Sequence, residues 1–283
     1  MDRVTSLRDL RQKVLSWRRK GLKIGLVPTM GSLHTGHLSL VKHAKSRADK
    51  VVVSVFVNPL QFEDKTDLLA YPRTLEADIK KLSSVNCDMA FTPDVDTIYP
   101  NGMKGQSKVT VPTIGERLCG HYRPGHFEGV ATIVSKLFNM VAPDSAVFGE
   151  KDYQQLLLIK KLTQDLNMPI EIIASETYRE QSGLAMSSRN QYLSSDERMI
   201  AAGIYQMLQT VKLQLHQSEQ SYTELCTEAK QVLKERGFAP EYVEICRESD
   251  LMPANHQDKA LRIMMAVKLG ETRLIDNIAC HLD

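Results

Sequence analysis

The chain has 283 residues, and 36 basic against 34 acidic side chains leave it a net charge of +2. That length suffices for one large core or two smaller ones, and so even a balance of charge argues against general nucleic-acid affinity. No stretch approaches the ~20 apolar residues of a membrane span. Met1 to Ser6 lacks the apolar core of a secretion signal. Five scattered cysteines (Cys87, Cys119, Cys226, Cys246, Cys280), with no C-x-x-C among them, read as buried thiols of a reducing cytoplasm.

In chain order, Ser6 to Lys20 predicts an amphipathic helix with Leu7, Leu10, Val14 and Trp17 on one stripe. Leu22 to Val27 reads as a buried parallel strand, and Leu38 to Ala44 as a helix with Leu38, Val41 and Ala44 on one face. Between them, Met30-Gly31-Ser32-Leu33-His34-Thr35-Gly36-His37 supplies a turn with two glycines, where the backbone can bend sharply and approach a ligand. A helix N-terminus at the end of a strand attracts anions. The turn lacks the Gly-Lys-Ser/Thr of a P-loop and the spacing of G-x-G-x-x-G. His34 and His37, three residues apart at a helix start, share one side and can donate hydrogen bonds to charge building on a phosphate. Half of a zinc site is a competing reading, although no H-E-x-x-H or cysteine pair stands nearby; two unremarkable helix-start histidines are another.

Val51 to Val57 reads as a central buried strand. Strand, helix and strand then form a right-handed crossover, which sets the Met30–His37 turn at the carboxyl edge of the sheet. Asn58 and Gln61 reach the same edge as neutral amides, suited to orienting a polar substrate, or else cap a plain loop. Thr74 to Val85 predicts a helix with Leu75, Ile79 and Leu82 inward and Asp78 on another face, where a solvated charge is the plain reading. Asp88 to Phe91 is a short strand, and Asp94 to Pro112 a loop with an edge strand. Arg123-Pro124-Gly125-His126-Phe127 opens a helix expected from Thr132 to Val141; Arg123 either contacts substrate or supports a subunit interface.

Asp144 to Phe148, the turn Gly149-Glu150-Lys151-Asp152 and a helix from Tyr153 to Leu166 repeat the strand, turn, helix pattern, with Lys151 a mobile cation suited to a phosphate. Ile170 to Ala174 is the last strand of a domain taken as 1–176. A smaller domain, 177–283, carries Met186-Ser187-Ser188-Arg189-Asn190, where two hydroxyls and an arginine make an anion clamp. Its remainder predicts two helices, Ser194 to Leu215 and Tyr222 to Arg236, and three strands, the last two joined by Gly270-Glu271 as a type II′ hairpin.

His34-Thr35-Gly36-His37 resembles the H-x-G-H signature of the nucleotidyltransferase superfamily. The longer string from Val27 to His37, with Asn58-Pro59-Leu60-Gln61-Phe62, Tyr71-Pro72-Arg73-Thr74, Gly149-Glu150-Lys151-Asp152 and Met186 to Asn190, is similar to the pantothenate synthetase family, ATP-dependent ligases of pantoate and β-alanine. The resemblance implies an α/β fold, a Rossmann-like parallel-sheet nucleotidyltransferase domain followed by a smaller C-terminal α+β domain. It implies that Met30, Gly31, Ser32, Leu33, His34, Thr35, Gly36 and His37 bind ATP together with Gly149, Glu150, Lys151 and Asp152. Lys151 would meet the α-phosphate and Asp152 the ribose. Met186, Ser187, Ser188 and Arg189 would take the β- and γ-phosphates, and Tyr178 the adenine through its backbone, where the family usually has a smaller aliphatic residue. Gln61 and Gln155 would hold pantoate with Asn58 beside them, Asp78 would hold the Mg2+ of Mg-ATP through water, and His37, His34 and Lys151 would be catalytic. A cytoplasmic homodimer is implied as well. A different adenylyltransferase with a phosphate acceptor, which calls for a basic acceptor pocket, and a nucleotide-binding protein without chemistry are the alternatives.

Overall fold

The computed structural model describes residues 1–62 and 65–282. A strand, β1 (Asp2–Val4), and a helix, α1 (Leu7–Arg18), open the chain, followed by β2 (Ile24–Thr29), α2 (Thr35–Arg47) and β3 (Lys50–Val55). The helices α3 (Lys65–Ala70) and α4 (Leu75–Ser84) lead to β4 (Met89–Phe91), then to the short helices α5 (Val95–Ile98) and α6 (Cys119–Tyr122) and the long α7 (His126–Val141). After β5 (Ser145–Gly149), α8 (Tyr153–Asp165) and β6 (Glu171–Ser175) come α9 (Ser195–Ala201), α10 (Gly203–Gln217) and α11 (Tyr222–Glu235). Three strands, β7 (Ala239–Arg247), β8 (Ala260–Leu269) and β9 (Thr272–His281), complete the described chain. Two compact units result: Met1–Glu150 with Leu158–Glu176, and Lys151–Leu157 with Thr177–Asp283.

The first unit is a parallel sheet in the order β1-β4-β3-β2-β5-β6. Its central strands are buried on both faces, so they read as continuous apolar runs: Val51, Val52 and Val53 are inaccessible to solvent. From β2 the chain steps outward through β3 to β4, then returns to β5 on the other side of β2. The reversal falls at the carboxyl ends of β2 and β5, where open α/β sheets bind ligands. Helix α7 buries most of its surface, Phe127, Val130, Ile133, Val134, Leu137, Phe138 and Val141 among it, and keeps Glu128, Lys136 and Asn139 on a narrow polar face.

The second unit stacks α10 and α11 on an antiparallel sheet, β7-β8-β9, around Leu208, Val211, Leu225, Leu233, Val243, Ile263 and Val267. Gly270 has φ +54 and opens the two-residue turn between Leu269 and Thr272, as a type II′ hairpin requires.

Four sequence expectations differ from the structure. The helix expected from Ser194 to Leu215 is two helices, parted at Ala202-Gly203, where glycine has the poorest helix propensity short of proline. No strand forms within 94–112 among the described residues; the edge position is taken by β1, too short and too polar to read as a strand before β4 pairs with it. Helix α7 begins at His126, six residues before Thr132, because Gly125 enters it from the left-handed region. Gly36 lies inside the first turn of α2, so the left-handed positions of the nucleotide turn are Gly31 (φ +83) and Ser32 (φ +50).

Candidate active site

Within the first unit, the segments Met30–His34 and Asn58–Phe62 follow the carboxyl ends of the neighbouring parallel strands β2 and β3, and Glu150 follows Gly149, the last residue of β5. His34 is the N-cap of α2, and the helix carries no acidic residue in its first turn, so the positive end of its dipole is left for an external anion. The two rings lie with centroids 4.0 Å apart. The backbone N–H of His34 donates to Nδ1 of His37 at 3.3 Å. An Nδ1 that accepts carries no proton, so neutral His37 is the Nε2–H tautomer and offers a donor away from the backbone. Not every amide of the turn has that freedom, because the N–H groups of Ser32 and Leu33 point at the Asp78 carboxylate, 3.0 and 2.8 Å away.

Beyond β3, Gln61 is built from both sides. Asn58, with no solvent exposure, donates through Nδ2 to Gln61 Oε1 at 3.0 Å and to the Gly129 carbonyl at 3.1 Å. Its Oδ1 accepts from Tyr99 Oη at 2.6 Å and from Leu60 N at 3.4 Å. Burial raises the Tyr99 phenol far above its ordinary range, so it stays a donor at any working pH. The Asn58 amide is thereby spent on holding Gln61. The Gln61 carbonyl accepts from His126 Nδ1 at 2.9 Å and from Arg123 at 3.4 Å, and the Arg123 guanidinium also meets His126 Nε2 at 3.1 Å. Because Oε1 accepts from Asn58, the rotamer presents Nε2 and its two hydrogens to whatever binds, a choice suited to a carboxylate or hydroxyl acceptor. Gly129 makes this packing possible: a Cβ there would stand 2.2 Å from the Leu60 carbonyl oxygen.

In the second unit, Lys151 Nζ lies 3.8 Å from Asp152, and Asn277 Nδ2 donates to the Lys151 carbonyl at 2.9 Å. The chain from Tyr178 to Met186 doubles back on itself: Met186 N donates to the Tyr178 carbonyl at 2.9 Å, and Arg179 bridges Ala185. Arg179 forms a two-pronged pair with the buried Asp276, at 2.5 and 2.9 Å, with its guanidinium over the Tyr205 ring. Ser187 Oγ caps the turn that follows by accepting from Arg189 N at 3.2 Å. Asn190 is tied to Glu180 at 3.1 Å. The Tyr178 ring is 48% exposed, so the side chain is not committed to the interior.

A family model described as pantoate-beta-alanine ligase matches residues 2–279. The chain belongs to the pantoate-beta-alanine ligase family. It is 53% identical to the pantothenate synthetase of Ectopseudomonas mendocina (strain ymp), across 100% of this chain and 99% of that protein. Identity to the pantothenate synthetase of Pseudomonas aeruginosa (strain UCBPP-PA14) is 50%, covering 100% of both. Among solved structures, pantothenate synthetase from Thermus thermophilus superposes with a TM-score of 0.89 at 39% identity, covering 98% of this chain and 99% of that one. Pantoate-beta-alanine ligase from Francisella tularensis, complexed with beta-gamma ATP and beta-alanine, gives 0.83 at 37%, covering 98% and 97%. The nucleotidyltransferase fold and the ATP-dependent ligase class inferred from His34-Thr35-Gly36-His37 and its companion motifs are therefore those of this family.

Sequence reading passed over Tyr99, Asp276 and Asn277, and gave no role to His126 or Gly129 within the segment that opens at Arg123; these residues hold the ligase family's motif residues from behind. For Asp276 and Asn277 a signal was available: two polar residues in succession inside an otherwise apolar strand, both of which are buried.

Proposed function

We propose that the chain condenses pantoate with β-alanine at the expense of ATP, releasing AMP and pyrophosphate, and that it does so through a pantoyl-adenylate. A carboxylate is a poor electrophile toward an amine; a mixed anhydride with AMP supplies a good leaving group. In the first step the pantoate carboxylate attacks the α-phosphorus of ATP, which enters as its magnesium complex, and pyrophosphate departs. Charge grows on the phosphoryl oxygens beside the His37 Nε2–H, His34, Lys151 and the N-terminus of α2. Met186, Ser187, Ser188 and Arg189 take the departing pyrophosphate, Asp152 the ribose, and the Tyr178 backbone the adenine. Gln61 holds pantoate through Nε2, Asn58 acts by fixing that rotamer, and Gln155 is the second amide on pantoate. In the second step the amine of β-alanine attacks the acyl carbon and AMP leaves. No protein nucleophile enters either step; positioning and electrostatics carry the rate.

The observation that carries this reading is the His34 N–H to His37 Nδ1 hydrogen bond, which leaves Nε2 as the donor of a neutral His37 at a helix N-terminus with no acidic residue in its first turn, beside the switch point of the sheet. A homodimer is adopted from the family resemblance. A cytoplasmic setting is adopted likewise, in line with the five scattered cysteines, none of them in a C-x-x-C pair. Among the described residues no helix is long and apolar enough to cross a membrane.

Exchange of labelled pyrophosphate into ATP tests the proposal. Exchange that requires pantoate and proceeds without β-alanine is expected. Exchange independent of pantoate would mean a different adenylyltransferase, and none under any condition would mean a nucleotide binder without this chemistry.

A further inference from the structure

The Asp78 carboxylate, fully buried, is surrounded by donors rather than by ligands for a cation. Oδ2 accepts from Ser32 N at 3.0 Å and Oδ1 from Leu33 N at 2.8 Å, while Thr74 Oγ1 lies 3.2 Å from each oxygen. Backbone N–H groups and a hydroxyl, rather than the carbonyl and carboxylate oxygens that accompany a cation, are what this carboxylate meets. Among the described residues no group of three or more His, Cys, Asp or Glu side chains is arranged to hold a metal. The donor set therefore does not suit Asp78 as a magnesium ligand.

The same helix grips the turn a second time. Lys81 Nζ, one helical turn beyond Asp78, donates to the Leu33 carbonyl at 2.6 Å. The Leu33 residue is thus held at its N–H by an anion and at its C=O by a cation, both from α4. What they hold is an unfavourable conformation: Gly31 at φ +83 is followed by Ser32 at φ +50, a left-handed value that a side chain disfavours. The turn runs close to its clamp and leaves little room for a side chain, since a Cβ at Gly31 would lie 3.2 Å from Asp78 Oδ2. Two residues later the chain enters α2 through His34.

We propose that Asp78 and Lys81 are positioning residues that clamp the left-handed Gly31–Leu33 turn and so aim His34, His37 and the α2 N-terminus at ATP. The clamp supplies geometry, and magnesium reaches the site with the nucleotide. The inference rests on the nucleotide site proposed above.

Asp78→Asn and Lys81→Met in the full chain test it. Asp78→Asn keeps the shape but turns an amide NH2 toward one of the two N–H groups. Its affinity for ATP, measured calorimetrically in EDTA, is expected to fall by ~10-fold or more, the scale of a charged hydrogen bond lost from a buried site. Lys81→Met, at the surface end of the clamp, should weaken metal-free ATP binding in the same direction with an unchanged melting temperature. It keeps the inference testable should Asp78→Asn fail to fold. The magnesium concentration for half-maximal pyrophosphate exchange at saturating ATP should stay at the wild-type value in both. Wild-type affinity for metal-free ATP in the variants, or a raised magnesium requirement in Asp78→Asn, overturns the clamp. Wild-type protein that binds no ATP overturns the function reading and the clamp with it; variants that match an ATP-binding wild type overturn the clamp alone.

Discussion

The Asn277 carboxamide donates to the Lys151 carbonyl at 2.9 Å, and its neighbour on β9, Asp276, pairs with Arg179 at the start of the Tyr178–Met186 hairpin. Two adjacent residues of one strand therefore anchor the two segments of the second unit that carry Lys151 and the serine–arginine clamp. Arg262 adds a bond to Asn277 Oδ1 at 3.1 Å, which fixes Nδ2 toward Lys151. Asn277→Ala leaves that carbonyl without its donor, a cost of about 1–3 kcal/mol. Pantoate-dependent pyrophosphate exchange should fall by roughly the same energy, about 10-fold or more, through a raised KM for ATP. An unchanged KM would detach β9 from the nucleotide site.

His37→Ala removes the Nε2–H donor while leaving α2 its backbone hydrogen bonds. Loss of one donor to developing charge typically costs ~10²-fold or more in rate. Adenylate formation, followed as pantoate-dependent exchange, should drop by that factor with a near wild-type melting temperature. Turnover close to wild type would exclude the ring from the chemistry.

Gly129→Ala places a methyl group 2.2 Å from the Leu60 carbonyl oxygen, which is backbone and cannot rotate away. Helix α7 must then shift from the Asn58–Phe62 loop. Overpacking of this kind costs about 1–3 kcal/mol of stability. Because the shift moves Gln61, the KM for pantoate should rise more than the KM for ATP. Equal changes in both would mean that the loop is not the pantoate side of the site.

Glu180 accepts from Arg198 and from Asn190, the last residue of the serine–arginine loop. The Arg198 bonds hold its carboxyl below the ordinary range, burial opposes them, and Asn190 adds to the lowering. A folded pKa below the unfolded value of about 4.3 gives stability that is present above that pH and is lost as the pH falls through the folded value. The contribution is about 1 kcal/mol or less, since Arg198 is half exposed. Glu180→Gln should melt lower than wild type at pH 7, and the gap should narrow progressively as the pH falls below the unfolded carboxylate value of about 4.3. A gap that persists in acid would locate the effect elsewhere.

Much of the site was legible in the chain itself. The apolar runs ending at Thr29, Val55 and Gly149 locate the strands, and the polar strings after them, His34 to His37, Asn58 to Gln61 and Gly149 to Asp152, mark the sheet edge, because hydrophobic periodicity and glycine turns are local properties. What holds those strings in place was not local. Leu33 meets Asp78 across 45 positions, Asn58 meets Gly129 across 71, and Lys151 meets Asn277 across 126. No periodicity encodes such pairings; each exists because packing brings a polar group into an interior where a buried carboxylate, amide or carbonyl must find a partner. So Asp78 reads from the chain as a solvated helix charge or a magnesium ligand, and only the folded backbone of Ser32 and Leu33 makes it a clamp.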